Sequence, residues 1–276
     1  MLQIMALMED RPSHRKDLLA EHGLSLYVGY NGRQMLFDCG SGANTLHNAY
    51  KLGVEPERLD AVVLSHGHYD HAGGYRFLVQ QGGVSCPLYT GSGFFEPKFS
   101  RNDGCHTSLG AGFDRAFLSR QGISHREVDG VTEIFPGAWL ISGFPRVYAQ
   151  ETIPPRFERF TQAGFVPDDF RDEICLALEI QGGVAVLVGC AHPGILNMVS
   201  HVRAVLGKSV RAVLGGIHLT ESDDCRQALT VDTLAEMGVE TLGLCHCSGE
   251  AAEQAAQTRR GVRGFRLGPG DCVFLP

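Results

Sequence analysis

The chain has 276 residues, 43% of them apolar, enough for a sizeable core in one large or two small domains. A net charge of −7 argues against a general nucleic-acid or anionic-membrane binder, since either wants a basic surface. Nine cysteines, with no disulfide-framework rhythm and no C-x-x-C, are most simply the reduced thiols of a cytoplasmic protein.

Met1 to Met8 is apolar but lacks a basic leader and runs into Glu9-Asp10-Arg11-Pro12, so it reads as an edge strand rather than a signal peptide. Nothing resembles a transmembrane span. Leu24 to Val28 alternates and passes through Asn31-Gly32, a strong hairpin signal, into Met35-Leu36-Phe37. Asp38-Cys39-Gly40-Ser41-Gly42 is a turn, and Asn44 to Leu52 has helical spacing. Ala61 to Leu64 has the β-branched, wholly apolar look of a strand buried on both faces. A helix is expected through Tyr75 to Val79 and strands at Leu88-Tyr89-Thr90 and Trp139-Leu140-Ile141. Residues 91–130 are weakly periodic and read as an insertion that caps a site. Residues 143–172, with four prolines, read as a long loop or lid.

The second half repeats the first in outline. Leu176 to Ile180, Gly182-Gly183 and Val184 to Val188 form a hairpin, followed by a turn at Gly189-Cys190-Ala191-His192. A helix runs from Pro193 to Leu206 with Gly207 as its stop, and the buried strand Ala212-Val213-Leu214 ends in Gly215-Gly216-Ile217-His218. Setting Leu26 on Leu178 places Asp38 against Cys190 and His66 against His218. Such a duplication brings two sheets face to face, with polar turns from both halves converging at one rim.

His66-Gly-His68-Tyr-Asp70-His71 follows the buried strand, where an open α/β sheet places its ligand crevice. Imidazoles with one carboxylate suit zinc, with iron or manganese as alternatives, better than calcium or magnesium. His66 and His68, two apart, point the same way in an extended turn, whereas Asp70 and His71 turn towards a neighbouring point, as a second metal would require. Two adjacent ions can share and activate a bridging water. Further ligands must come from distant turns. His246, between the strand Thr241 to Leu244 and the helical Glu250 to Thr258, is the first candidate, and His192 is the second. Cys190 and His218 are candidate metal or substrate contacts. The other histidines (14, 22, 47, 106, 125, 201) lack partners in sequence and read as surface residues.

Asp38 ends a strand before a Gly-rich turn. It suits either a hydrogen bond that orients a metal-bound histidine or capping of its own turn amides. Gly40-Ser41-Gly42 is only a faint phosphate cradle, because no Lys follows.

These residues resemble the metallo-β-lactamase superfamily, whose H-x-H-x-D-H hallmark stands here as His66 to His71. Glu21-His22-Gly23-Leu24-Ser25-Leu26, Leu64 to Gly74, Gly189-Cys190-Ala191-His192-Pro193-Gly194, Gly215-Gly216-Ile217-His218-Leu219 and Cys245-His246-Cys247-Ser248-Gly249 are similar to the 7,8-dihydropterin-6-ylmethyl-4-(β-D-ribofuranosyl)aminobenzene-5′-phosphate synthase branch. The resemblance covers nearly the whole chain, least characteristically at 91–172. It implies a four-layer αββα sandwich and one or two divalent metal ions. The superfamily also carries a histidine in a G-H-T-P-G-H-like turn, but Ser142 to Arg146 has none. Where an Asp commonly bridges the metals, this chain offers Cys190 and then His192.

The expected protein is therefore one α/β metallo-β-lactamase-like domain over 1–276, acting as a metal-dependent hydrolase. A metal-activated water would attack an ester, phosphoester or related small-molecule substrate, with Asp70 binding metal and orienting that nucleophile. The branch resemblance implies instead a synthase joining a phosphoribosyl donor to an aminobenzoate. The third alternative is a metal-dependent ligand-binding protein without turnover. Arg146, Arg156, Arg159 and Arg171 are read as solvated surface residues rather than an anion site. Pairing with a second copy is left open.

Overall fold

The structure, a computed structural model, describes residues 1–276. Alternation of side chains explains its layers. In Ser25–Tyr30 and Arg33–Phe37, Leu26, Val28, Met35 and Phe37 face one core, while Tyr27 and Leu36 face another. The same division holds in Cys175–Ile180, where Leu176 and Leu178 point inward and Cys175 and Ala177 outward. Both sheets are thus apolar on both faces, and each must be covered twice.

Two seven-stranded sheets pack face to face. The first runs Cys272–Leu275, Leu2–Met8, Ser25–Tyr30, Arg33–Phe37, Ala61–Val63, Leu88–Gly91, His125–Val128. The second runs Val131–Phe135, Ala138–Ile141, Cys175–Ile180, Gly183–Val188, Val210–Gly215, Thr241–Leu244, Arg263–Arg266. In each, three antiparallel pairings are followed by three parallel ones. One core lies between the sheets. A second lies under Ile195–Leu206, Asp224–Glu236 and Glu250–Thr258, and a third under Asn44–Lys51 and Tyr75–Gln80. This is the expected αββα sandwich with its internal duplication.

The register of the repeat differs from the sequence alignment. The hairpin ends Tyr30↔Arg33 and Ile180↔Gly183 match, which sets Leu26 on Leu176 rather than Leu178. A two-residue slip keeps every side chain on its own face, so alternation could not expose it. His66 and His218 nevertheless correspond, each lying three residues beyond the end of its strand.

Leu2–Met8 is not an edge strand, because Cys272–Leu275 pairs along it and takes the edge. Nor are 91–130 and 143–172 simple insertion and loop. His125–Val128 belongs to the first sheet, while Lys98–Asn102, Cys105–Ser108, Phe157–Thr161 and Gly164–Pro167 form a four-stranded sheet. Pairing between the two distant segments supplies the backbone partners that neither segment's local pattern reveals.

Candidate metal centre

The crevice lies at the C-terminal ends of the parallel strands of both sheets. After Ala61–Val63 the chain stays extended through His66 and His68, then makes a helical turn at Tyr69–Ala72 that carries Asp70 and His71. Gly67 is required in this loop, since a methyl group there would run into the carbonyl oxygen of Phe94. Its amide donates to Asp172 Oδ2 at 2.8 Å, and Asp172 and Asp168 each accept from the buried Lys98 ammonium at 2.9 Å. Burial opposes the charge on Lys98, but Asp172 and Asp168 hold it protonated.

The turn after Gly183–Val188 brings His192 to this loop, with ring centroids 5.0 Å from His66 and 5.3 Å from His68. These three imidazoles each present a nitrogen within 4.8 Å of the others. Burial depresses the pKa of all three, which keeps their lone pairs free. Phe170 stacks on His192 at 3.8 Å. His246, from the turn after Thr241–Leu244, joins Asp70 and His71 in a second triad, with its Nε2 3.4 Å from Asp70 Oδ2. Burial opposes ionisation of Asp70, yet His71 and His246 hold its pKa well below the usual carboxylate range.

Polar neighbours aim these donors. Asp38 Oδ1 accepts from the Ser65 amide at 2.7 Å, and Oδ2 receives Ser65 Oγ at 2.8 Å and contacts His71 Nδ1 at 2.7 Å. Of the two readings of Asp38, the structure selects the one that orients a histidine. His246 Nδ1 contacts Asp10 Oδ1 at 2.7 Å, and the His246 amide donates to buried Glu9. Backbone strain gathers here as well. Asp38, Phe170, Ala191, His218 and His246 all have positive φ, uncommon for residues with a side chain and typical of functional sites.

A cavity of about 380 Å³ opens over both triads, reached by His22, Arg156, Phe157, His218, Glu221 and Cys247 among others. A larger hollow of about 590 Å³ beside Phe94 and Phe113 holds no comparable donor cluster.

The model of the metallo-β-lactamase superfamily matches residues 19–96. A crystal structure, Tm1679, a metal-dependent hydrolase of the β-lactamase superfamily, is 28% identical with a TM-score of 0.84 and covers 99% of both chains. The chain thus carries a metallo-β-lactamase superfamily match over those residues and shares the fold of that hydrolase throughout. It is also 29% identical to the 7,8-dihydropterin-6-methyl-4-(β-D-ribofuranosyl)-aminobenzene-5′-phosphate synthase of Methanocaldococcus jannaschii, over 91% of this chain and 89% of that relative. Zn2+-bound PqqB from Methylobacterium extorquens shares the fold, with 15% identity, a TM-score of 0.58 and coverage of 99% and 100%.

Divalent metals are bound in this superfamily, and the donor set here fits them. His66 Nε2, His68 Nε2 and both ring nitrogens of His192 are buried without a hydrogen-bond partner. Buried polar atoms are rarely left so, and one nitrogen from each of three converging rings suits a cation. The missing histidine near Phe144 leaves no gap, because His192 occupies the position beside His66 and His68. His22 is not a detached surface residue, since its Nε2 lies 3.4 Å from Asp70 Oδ2 and its Nδ1 3.1 Å from Asp10 Oδ2. Arg156 likewise lines the cavity, held by Glu221 and Ser100. The motif around His22 hinted at its place, whereas nothing local marked Asp10, Glu9 or Arg156. The Gly40-Ser41-Gly42 turn is no phosphate cradle, as the Gly42 amide is already taken by Glu21 and the Gly40 amide by Leu24. No helix is long and apolar enough to cross a membrane.

Proposed function

We propose that this protein is a metal-dependent hydrolase acting on an ester, phosphoester or related bond of a small molecule, with zinc as its ion. The observation that carries the reading is the pairing of two donor triads, His66, His68, His192 and Asp70, His71, His246, under one cavity. Two divalent ions held there would supply Lewis-acid polarisation and an activated water at neutral pH. The chain's own groups do the rest. Asp70, kept ionised by the imidazoles around it, anchors the second position and can accept a proton from the attacking water. Arg156 presents positive charge and hydrogen-bond donors to an anionic part of the substrate at the cavity wall. Phe157 and Phe170 exclude water behind His68 and His192.

The decisive experiment is turnover of a panel of carboxylic esters, phosphodiesters and pyrophosphates by zinc-loaded wild type and Asp70→Ala. Turnover that vanishes in the variant supports the proposal. Turnover that survives refutes the role of Asp70, and binding without turnover anywhere in the panel favours a ligand-binding protein.

A second reading draws on the synthase relative and on Arg156, whose place in the cavity suits a phosphorylated substrate. In that case incubation with a phosphoribosyl donor and an aminobenzoate releases pyrophosphate and carbon dioxide. Absence of both counts against it.

A further inference from the structure

Two cysteines border the paired triads and touch each other, and Cys190 also lies 3.2 Å from His71 Nε2, grouped with His66 and His71. Cys190 Sγ lies 3.3 Å from Cys247 Sγ, and the His218 amide donates to Cys247 Sγ at 3.3 Å. Cys190, His218 and Cys247 each place one donor atom within 4.8 Å of the others. Both ring nitrogens of His218 are buried and lack a well-aligned hydrogen bond, although Nε2 approaches Glu221 Oε1 at 3.3 Å. The three residues stand on the turns after Gly183–Val188, Val210–Gly215 and Thr241–Leu244, neighbouring parallel strands of one sheet. Each of those turns holds a side-chain-bearing residue at positive φ, Ala191 beside Cys190, His218 itself and His246 beside Cys247.

We propose that Cys190, His218 and Cys247 form a third cation position, selective for a thiophilic divalent ion of the zinc class. This rests on the reading that the neighbouring triads hold ions. Two sulfurs and an imidazole suit zinc, cobalt or cadmium and disfavour magnesium, calcium and manganese. Binding releases one proton from each thiol to solvent, and the two thiolates cancel the charge of the incoming ion. A further divalent ion is thereby tolerated beside two others, where an uncompensated one would be repelled. His218 and Cys247 border the cavity, so the third ion would face the substrate.

Cobalt(II) titration of the metal-free full-length protein under reducing, anaerobic conditions tests the proposal. Wild type is expected to bind three equivalents, one of them giving a near-ultraviolet thiolate-to-cobalt charge-transfer band. Cys247→Ser and Cys190→Ser should each stop at two equivalents and lose the band. His218→Ala should weaken only the banded equivalent, by at least about tenfold. Two equivalents without a thiolate band in wild type overturn the third site and leave the triads standing. A band lost in Cys190→Ser but retained in Cys247→Ser also overturns it, by assigning Cys190 to the paired triads. No cobalt bound at all refutes both readings.

Discussion

Asp38 and His71 meet at 2.7 Å, Oδ2 to Nδ1, with both side chains fully buried. The contact leaves His71 Nε2 directed at Asp70 and Cys190. Asp38→Ala removes it and also strands the Ser65 amide. Metal affinity should fall about 10- to 100-fold in a competition titration with a chelator. Unfolding in urea should show a loss of about 1–3 kcal/mol in the metal-free protein. Asp38→Asn should retain much of the stability while still losing affinity.

Lys98 pairs with two buried carboxylates behind the His66–His68 loop. Lys98→Met leaves Asp168 and Asp172 uncompensated and should cost about 3–5 kcal/mol in chemical denaturation, as for other broken buried pairs. Gly67→Ala acts on the same loop sterically, and its expected signature is reduced metal stoichiometry at His66, His68 and His192.

His246→Ala should remove one ion position, measured as metal per chain by elemental analysis. His22→Ala, whose side chain is 58% exposed and reaches Asp70 only at the rim, should retain the wild-type metal content. Equal losses in the two variants would contradict the assignment of His246 to the second triad.

Arg156 lies over Phe157 at 4.0 Å and is paired with Glu221. Arg156→Ala should raise KM for phosphorylated substrates about 10-fold or more with metal content unchanged, corresponding to roughly 1.5–3 kcal/mol for a lost charge-assisted hydrogen bond. An uncharged ester should be affected much less.

Glu151 accepts the Leu196 and Asn197 amides at the start of Ile195–Leu206. Burial raises its pKa to about 7, outweighing those two amides. A carboxyl whose folded pKa exceeds its unfolded value favours the fold when protonated. Its contribution is therefore complete below about pH 4.5 and is lost as pH climbs to about 7. Metal-free protein should lose on the order of 2 kcal/mol across that window, and Glu151→Gln should flatten the slope. Urea denaturation at several pH values measures it.

How far local pattern reaches is visible in particular residues. The hairpin at Asn31-Gly32, the helix Glu250–Thr258 and the buried strand before His66 were legible because alternation, turn chemistry and apolar runs are properties of neighbouring residues. His66, His68, Asp70 and His71 were legible together because one short loop carries them all. The sequence by itself thus determined the layered fold and the presence of a histidine–carboxylate cluster. Only the tertiary structure decided that His192 stands with His66 and His68, that His22 and Asp10 approach the second triad, and that Arg156 faces the cavity. It also decided that Cys272–Leu275 covers Leu2–Met8 and that two apparently irregular segments share a sheet. Those contacts join residues tens to hundreds of positions apart, and loop closure and sheet pairing at that range leave no periodic mark on either partner.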